Sequence, residues 1–537
     1  MRRRAARGHA AAGAALLVAA LGGAVPARAA SDFPRVTANS WVTRDNHSRG
    51  RLESIPAIAV DPSDPTRVLV SEGDFHAGTC TLYVSSDGGL TFKAAKGDVL
   101  PKSDGFDRCT PNSAGISYPM AWGADDTLLL ALHAMPFNVS VPFSSRGPTS
   151  IVLDRTQDAG QTFQSALVRD NRPAKPANNE GAWQPHIASD VARNRVYVGW
   201  QRRNVAVPGL PDSESRPAIA VSTDGGKTFG PPIDLLYGEG DLSNIPALGN
   251  KALPTRRGPS LAVAPDGTLF ALNTQAGRPE DGPTAPASQD LRTVLSVTSD
   301  MGKTFQHYDV QPDTDGTDYP EIAVVPDASG GGYSIVLVTE DYAVDSVAGP
   351  QQVHEIITRR STDGGKTWSD AKRITDDPVE RFANKFDPAI SVAPNGRVDV
   401  GWYDFRNDDG HMLIDVYATY SNDGGATWAP NVRITDRAAD RRPGFFVDGG
   451  AVRGPLGVAS DNYAAHFAWE DTRNATDEDP VSDIYSAALQ FKAIPGPKSS
   501  TGLQILAAIG GGLLVTAVVL LLASVISTRR RTATPSP

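Results

Sequence analysis

One eight-residue pattern recurs six times along this chain of 537 residues. It reads Ser/Thr-x-Asp-x-Gly-x-Thr-Phe/Trp, and successive aspartates lie between 60 and 76 residues apart. The six aspartates are Asp87, Asp158, Asp224, Asp300, Asp363 and Asp423. A repeat of this period indicates an array of similar supersecondary units that pack on one another. The repeat therefore predicts the architecture of the chain and leaves its function open.

A second phrase precedes each copy of the pattern. It consists of a proline, an apolar run, a turn of the Pro-Asp-Gly type and another apolar run, as in residues 259–272 and 388–402. Two short apolar runs joined by a glycine-bearing turn form a β-hairpin. A third run leads into the aspartate pattern and a fourth follows it. Each unit is thus predicted to be a four-stranded antiparallel sheet, and radial repetition of such sheets gives an all-β fold, the β-propeller.

The proline phrase occurs seven times, which favours seven blades over six. The phrases begin near Pro56, Pro119, Pro185, Pro259, Pro320, Pro388 and Pro455. The seventh unit has only three strand-like runs before the chain leaves the repeat region. Residues 33–43 resemble the fourth strands of other units. We therefore predict that the N-terminal segment supplies the outer strand of the last blade and closes the ring.

The two ends of the chain predict its location in the cell. Residues 1–29 combine arginines, an apolar run and a small-residue cleavage site, which is typical of a secretory signal peptide. Residues 503–527 contain no charged side chain, and as a helix they would span about 37 Å, enough to cross a bilayer core. Arg529, Arg530 and Arg531 follow, so the tail 528–537 is expected in the cytoplasm. The sequence predicts a single-pass membrane protein whose propeller, residues 30–492, lies outside the cytoplasm behind a linker of residues 493–502.

Charge and cysteine content agree with that location. The chain has a formal net charge of −10, and the propeller is more acidic still because eight arginines lie in the two terminal segments. An acidic surface argues against nucleic acid as a partner. In an exported protein the two cysteines, Cys80 and Cys109, are expected to form one disulfide, with two unpaired thiols as the alternative.

We interpret the aspartate pattern as structural, with ligand binding as the alternative. Its glycines permit positive φ in a tight turn, its carboxylate can accept backbone N–H bonds, and its Phe or Trp can pack between sheets. The pattern lies between the third and fourth strands of each unit. Function is therefore expected on the opposite face, which carries the loops between second and third strands and the linkers between blades.

The octapeptides are Asp boxes, also called bacterial neuraminidase repeats, and the chain resembles the propellers of the sialidase superfamily over residues 31–491. The resemblance implies a glycoside hydrolase with clustered arginines for a sugar carboxylate, an acid group and a tyrosine nucleophile. In the family, an Arg-Ile-Pro phrase opens the first propeller strand. Here the matching phrase is Ser54-Ile55-Pro56, without the arginine. Arg257 and Arg453 stand at the same position in two other blades, each in an Arg-Gly-Pro phrase.

Further candidate residues lie on the same face. The phrases Trp402-Tyr-Asp404-Phe-Arg406 and Trp469-Glu-Asp471-Thr-Arg473 end second strands. Their Asp–Arg pairs either brace adjacent blades or line a pocket for a charged or hydroxylated ligand. Three candidate catalytic residues stand beside strand-opening prolines, namely Tyr319 and Glu321, as nucleophile and base, and Asp387. The alternative is that these side chains are solvated in an open mouth.

No cofactor is expected, apart from calcium as a weaker alternative. The acidic turn formed by Asp313, Asp315 and Asp318 has the oxygen ligands that calcium prefers, although it is shorter than an EF-hand loop. Two functions from different classes remain open. One is a membrane-tethered glycan hydrolase of the sialidase type, and the other is a non-catalytic propeller that binds a glycan or protein partner on its loop face.

Overall fold

The computed structural model describes residues 33–495, with the exception of 75, 78, 96–105, 109–117, 137–148, 172–179, 205–214, 236–257, 277–290, 313–319, 328–330, 343–352, 379–382 and 443–454. Within these ranges the protein is built from β-strands, with one short 3₁₀ helix at Val191–Arg193. No helix in this part of the chain is long and apolar enough to cross a membrane. The predicted signal peptide and membrane span, residues 1–29 and 503–527, lie outside it.

The strands are short, as expected for blades that are joined by tight turns. In chain order they are β1 (Arg35–Val36), β2 (Ser40–Trp41), β3 (Glu53–Asp61), β4 (Asp64–Asp74), β5 (Thr79–Ser85), β6 (Lys93–Ala94), β7 (Phe106–Arg108), β8 (Met120–Trp122), β9 (Leu128–Pro136), β10 (Ser150–Thr156), β11 (Gln164–Arg169), β12 (Glu180–Asp190), β13 (Arg195–Asn204), β14 (Ser215–Ser222), β15 (Ile233–Asp234), β16 (Ser260–Val263), β17 (Leu269–Ala276), β18 (Leu291–Thr298), β19 (Gln306–Pro312), β20 (Glu321–Pro326), β21 (Tyr333–Tyr342), β22 (His354–Ser361), β23 (Lys372–Arg373), β24 (Lys385–Val392), β25 (Val398–Asp404), β26 (Leu413–Ser421), β27 (Val432–Arg433), β28 (Ala439–Asp440), β29 (Gly457–Ser460), β30 (Ala464–Asp471) and β31 (Asp483–Gln490).

These strands form seven antiparallel sheets, the blades I to VII. Blade I contains β3–β6, blade II β7–β11, blade III β12–β15, blade IV β16–β19, blade V β20–β23, blade VI β24–β28, and blade VII β29–β31 with β1 and β2. The first strands of neighbouring blades contact one another around the whole ring, in the order β3, β8, β12, β16, β20, β24, β29 and back to β3. The seven-bladed propeller with four-stranded blades is therefore confirmed.

The N-terminal segment closes the ring as predicted, although it forms two short strands in place of one. Arg35 and Val36 pair with Gln490 and Leu489, and Ser40 and Trp41 pair with Ser486 and Tyr485. The last blade thus combines the first and last strands of the propeller. Two additional strands were not predicted: β7 extends blade II beside β9, and β28 adds an edge to β26 in blade VI.

Each blade buries an apolar layer against its neighbours, and the Asp boxes turn the chain at one end of it. In blade V, Asp363 Oδ1 accepts hydrogen bonds from the backbone N–H groups of Lys366 and Thr367, at 3.1 and 3.0 Å, and Oδ2 accepts one from Thr367 Oγ1 at 2.6 Å. Gly365 has φ +87°, and a Cβ there would lie 2.2 Å from the side chain of Leu295 in blade IV. These contacts are the ones that a fold-stabilising Asp box requires.

The blades define two faces of the propeller, the Asp-box face and the mouth face. The Asp-box face carries the Asp boxes and the hairpins between first and second strands. The mouth face carries the ends of the second strands, the beginnings of the third strands and the linkers between blades. On the mouth face, Cys80 is buried in β5, whereas Cys109 lies outside the described residues. The disulfide between them stays a prediction.

Candidate functional site at the mouth of the propeller

The two Trp-x-Asp-x-Arg phrases form the same contacts in blades VI and VII. Asp404 Oδ2 accepts hydrogen bonds from Trp402 Nε1 at 2.8 Å and from Arg406 Nε at 2.9 Å. In blade VII, Asp471 Oδ2 accepts from Trp469 Nε1 at 3.0 Å and from Arg473 Nε at 2.9 Å. The repeated geometry fixes both guanidinium groups in the same orientation.

Each of these arginines also reaches the linker of the preceding blade. Arg406 Nη1 lies 2.8 Å from Asp376, which follows β23 of blade V, and Arg473 Nη1 lies 2.7 Å from Asp436, which follows β27 of blade VI. The ring of Tyr417 lies under Arg406, and that of Tyr485 lies under Arg473, both at 4.1 Å. The Asp–Arg pairs therefore make the contacts that the bracing interpretation requires. A role in ligand binding stays a prediction.

In these ion pairs, the interaction between the partners opposes the effect of burial on the pKa of Asp404, Arg406 and Arg473. Burial raises the pKa of Asp404, although the hydrogen bond and charge of Arg406 oppose this shift. For Arg406 and Arg473, burial alone would lower the pKa, but the paired carboxylates Asp404 and Asp471 outweigh it and raise the pKa of both. Both guanidinium groups are therefore charged and held by protein carboxylates.

Strand pairing places a second set of residues at equivalent positions near the mouth. The hydroxyl residue that opens each Asp box pairs with a residue of the second strand, for example Ser421 with Val398. Five residues further along the second strand from this pairing partner lies one equivalent position in each blade. The residues at this position are Gly73, His133, Gln201, Thr274, Glu340 and Tyr403 in blades I to VI. Glu470 corresponds to Tyr403 through the shared Trp-x-Asp-x-Arg phrase. We call these seven residues the mouth ring.

Described contacts join several members of the mouth ring to the first strand of the following blade. Ser54 Oγ of blade I donates a hydrogen bond of 2.7 Å to Glu470 Oε2. The backbone N–H of Asp387 in blade VI donates one of 3.2 Å to Glu340 Oε2. His133 stacks on Trp183 of blade III, with ring centroids 4.9 Å apart. These three members of the mouth ring thus place polar side chains at the interfaces between blades, although they belong to buried strands.

Burial controls the charge of two members of the mouth ring. It lowers the pKa of His133 to about 3, so this imidazole is neutral, and neither ring nitrogen has a hydrogen-bond partner in the described part of the structure. Burial also raises the pKa of Tyr403 well above 10.0, and the negative charge of Glu470 raises it further. The phenol of Tyr403 accepts a hydrogen bond from the backbone N–H of Glu470 at 3.2 Å.

The backbone is strained beside the mouth ring in three blades. Ile55, Gln184 and Asp387 have φ values of 51°, 49° and 49°, and each directly precedes a proline. At each of these sites the pairing of the first and second strands shifts register. Left-handed backbone at a residue other than glycine is uncommon and tends to occur at functional sites, particularly when the residue is β-branched like Ile55. These three sites therefore place strained backbone on the mouth face, next to the mouth ring.

The candidate catalytic residues lie in different blade interfaces. Glu321 opens the first strand of blade V, and its Oε2 accepts a hydrogen bond of 2.7 Å from Ser260 Oγ of blade IV. Asp387 is buried beside Glu340, at the interface between blades V and VI. Tyr319, Arg257 and Arg453 lie outside the described residues, so their predicted roles stay untested. The acidic turn of Asp313, Asp315 and Asp318 lies outside them as well, and the described residues contain no cluster of three or more potential metal ligands.

Sequence reasoning missed Glu340, Tyr403 and Glu470. A partial signal was present, because the shared Trp-x-Asp-x-Arg phrase aligns Tyr403 with Glu470, whereas Glu340 joins them only through the strand pairing. The hydrogen bond between Ser54 and Glu470 could not be found in this way, since it joins blades at opposite ends of the chain.

Comparison with known proteins agrees with this architecture. The family model for the BNR/Asp-box repeat matches residues 359–370. The chain is thus a seven-bladed β-propeller with Asp-box repeats, and its resemblance to the sialidase-superfamily propellers is confirmed at the level of this repeat. No curated protein sequence matches the chain.

Several solved structures are similar to the chain at low identity. One is a protein of unknown function from Dyadobacter fermentans, with 14% identity and a TM-score of 0.47 over 85% of this chain and 99% of that chain. Another is a Hadza microbial sialidase, with 16% identity and a TM-score of 0.45 over 81% and 75%. A third is the α-L-arabinanase of Penicillium chrysogenum, with 12% identity and a TM-score of 0.42 over 86% and 100%. Similarity at this level assigns no substrate.

Proposed function

We propose that this chain is an extracytoplasmic, membrane-anchored propeller that binds and hydrolyses a neutral glycan at its mouth face. The observation that carries the proposal is the contact of Ser54 with Glu470. Where the sialidase phrase has an arginine for the substrate carboxylate, this chain has a serine bonded to a buried acidic side chain. A carboxylate at that place disfavours an anionic sugar and is compatible with a neutral one.

The arginines of the mouth face support the same choice of substrate. Arg406 and Arg473 are each bonded to a buried aspartate, and their exposed fractions are small, 8% and 10% of the side chain. To bind a sugar carboxylate, either arginine would have to leave its protein partner. Loss of a buried charged partner is costly, on the order of 3–5 kcal/mol. These two arginines are therefore poor anchors for sialic acid.

The carboxyl groups near the mouth provide candidates for hydrolysis. Glycoside hydrolases commonly use two carboxyl groups, one as an acid and one as a base or nucleophile. Glu340, Glu470 and Asp387 lie in the interfaces of blades V, VI, VII and I, and Asp387 has strained backbone. We assign the acid and base roles to this set, with Tyr319 and Glu321 retained from the sequence prediction.

The non-catalytic alternative rests on burial. Glu470 and Tyr403 are 3% and 1% exposed, and both are hydrogen-bonded within the protein. Groups held in this way can also shape a binding surface for a glycan or protein partner without reacting. This second candidate predicts binding at the mouth face and no turnover.

The test uses the purified protein with 4-nitrophenyl glycosides of neutral pentoses and hexoses. We expect hydrolysis of at least one neutral glycoside, with a loss of about a hundredfold or more in the variants Glu470→Gln or Glu340→Gln. Asp266→Asn is the matched control, because Asp266 is exposed in a hairpin on the Asp-box face. Folding is checked by thermal denaturation of each variant. Binding of a neutral glycan without hydrolysis, abolished by the same variants, would favour the non-catalytic alternative.

A further inference from the structure

A groove of about 640 Å³ lies on the Asp-box face, away from the mouth. It runs between the third and fourth strands of blade V and the Asp box of blade VI. Its charged lining residues are Arg359, Arg360, Lys372 and Asp370, and Trp368, Ser369 and Ala426 lie beside them. The volume lies within the range of small-molecule and saccharide sites, about 300–1,000 Å³.

Three cations line this groove, and their described hydrogen bonds go to backbone carbonyls. Arg360 Nε donates to Gly424 O at 2.8 Å, Lys372 Nζ to Ala426 O at 2.8 Å, and Arg359 Nη1 to Ser369 O at 3.3 Å. A carbonyl orients a cation without neutralising its charge. The adjacent Arg373, in contrast, is paired with Glu355 and Asp377. With three cations against the single carboxylate of Asp370, the lining has a net positive charge, in a chain whose formal net charge is −10.

The arginine pair is particular to blade V. The two residues before each Asp box are Tyr83-Val84, Asp154-Arg155, Ala220-Val221, Ser296-Val297 and Thr419-Tyr420 in the other five boxes. In three of these boxes the second residue is valine, so the fold does not require a cation at this position. Consecutive cations at one copy of a repeated element indicate a role beyond the packing of the blade.

An aromatic side chain completes the groove. The indole Nε1 of Trp368 donates a hydrogen bond of 3.1 Å to Gly365 O, which fixes the half-buried ring. Sugar rings offer apolar C–H faces to aromatic side chains, and arginine binds carboxylate or sulfate through paired N–H donors. Arg359 and Arg360 are half-buried within a concavity, so a chain that enters the groove suits them better than a flat membrane surface.

We propose that this groove binds a segment of an anionic glycan carrying carboxylate or sulfate groups. The guanidinium and ammonium groups contact the acidic substituents, and Trp368 packs against a sugar ring. The site is separate from the mouth face and does not depend on the function proposed there. Ligand capture at this groove would hold the propeller on an acidic polysaccharide while the mouth remains open.

The test is calorimetric titration of the purified protein with oligogalacturonate and with dextran sulfate, at low and high salt. A neutral arabino-oligosaccharide and phosphatidylglycerol–phosphatidylcholine vesicles are the comparison ligands. The variant combines Arg359→Gln with Lys372→Gln. The matched control combines Lys227→Gln with Lys303→Gln, because these exposed lysines lie in the Asp boxes of blades III and IV and the change in net charge is the same.

We expect at least one anionic glycan to bind at low salt, and the Arg359/Lys372 variant to bind it about tenfold more weakly or worse, whereas the Lys227/Lys303 control stays within about twofold. High salt should weaken binding by the native protein. If the double variant does not fold, Lys372→Gln alone provides the same comparison at an exposed position. Equal loss in both variants, equal binding of the neutral oligosaccharide, or binding to the acidic vesicles in place of the glycans would each overturn the proposal.

Discussion

The hydroxyl of Ser54 and the carboxylate of Glu470 are joined by a 2.7 Å hydrogen bond, although 416 residues separate them in the chain. The contact lies where the first strand of blade I meets the second strand of blade VII. It places an acidic residue beside the position at which a sialidase carries an arginine. It also belongs to the interface that closes the ring, where β3 packs against β29 and β30.

Removal of residues 33–43 should destabilise the propeller strongly. The deletion removes β1 and β2 and leaves the edge of β31 unpaired. We expect a marked fall in the melting temperature, measured by circular dichroism. An unchanged melting temperature would contradict the role of this segment in ring closure.

Single substitutions at two equivalent asparagines test whether the N-terminal segment contributes to ring closure as other blades do. Asn39 Nδ2 donates to Ile434 O at 3.0 Å, and its Oδ1 accepts from the backbone N–H of Asp436 at 2.9 Å. Asn431 makes the same contacts with Ile374 and Asp376 one blade earlier. We expect Asn39→Ala and Asn431→Ala each to lower the free energy of unfolding by about 1–3 kcal/mol. If only Asn431→Ala lowers the free energy of unfolding, the N-terminal strand is not an equivalent member of the ring.

Asp363→Ala should reduce stability and leave the mouth unaffected. The variant loses the hydrogen bonds within the turn, at a cost on the order of 1–3 kcal/mol. The hydrogen bond from Thr367 Oγ1, followed by that from its backbone N–H, lowers the pKa of Asp363 from 3.8 to about 2. The difference in the free energy of unfolding between the native protein and Asp363→Ala should therefore be largest above about pH 4. It should shrink as the pH falls towards 2. Urea unfolding at several pH values measures both effects, and native stability with lost ligand binding would instead assign this Asp box to function.

The strand-opening prolines were sufficient to predict the number of blades, and the resemblance of residues 33–43 to fourth strands predicted the closure. Such motifs are local signals, because a turn motif or a proline constrains only the hairpin in which it lies. The mouth ring was harder to predict, since Glu340, Tyr403 and Glu470 are separated by more than 60 residues and acquire partners only across blade interfaces. The roles of Arg406 and Arg473 remained ambiguous in sequence for the same reason. Their partners Asp376 and Asp436 lie in the linkers of other blades.

Arg473→Lys should destabilise the interface between blades VI and VII. Lysine keeps the charge but cannot reproduce the contacts of the guanidinium group with Asp471, Asp436 and Asn39. We expect a loss of about 1–3 kcal/mol in the free energy of unfolding. Arg442→Lys is the control, because Arg442 pairs with Asp440 on the surface and should show no measurable change. Native stability combined with lost glycan binding in Arg473→Lys would support the ligand-binding role.

Glu53→Gln should make the protein more stable at alkaline pH than the native chain. Burial first, and then the negative charge of Glu72, raise the pKa of Glu53 well above 4.5. A raised folded-state pKa means that stability is full below about pH 4.5 and falls as the pH rises through the folded value. Glutamine keeps the oxygen that accepts from Asn46 Nδ2 and carries no charge. Urea unfolding at several pH values measures the stability of the native protein, of Glu53→Gln and of the exposed control Glu478→Gln. If the stability of the native protein and that of Glu53→Gln change in parallel with pH, the prediction is contradicted.

The protein should hydrolyse a fluorogenic sialoside very weakly or not at all. The arginine of the sialidase phrase is replaced by Ser54, and a missing charge-assisted pair typically costs a few kcal/mol, or about a hundredfold or more in affinity. Arg406 and Arg473 do not replace it without breaking their pairs with Asp404 and Asp471. Arg257 and Arg453 are the remaining candidates from the sequence. The assay compares the native protein with Arg257→Ala and Arg453→Ala on the sialoside and on a neutral glycoside, and robust sialoside turnover abolished by either substitution would show that a cationic site has formed in another blade.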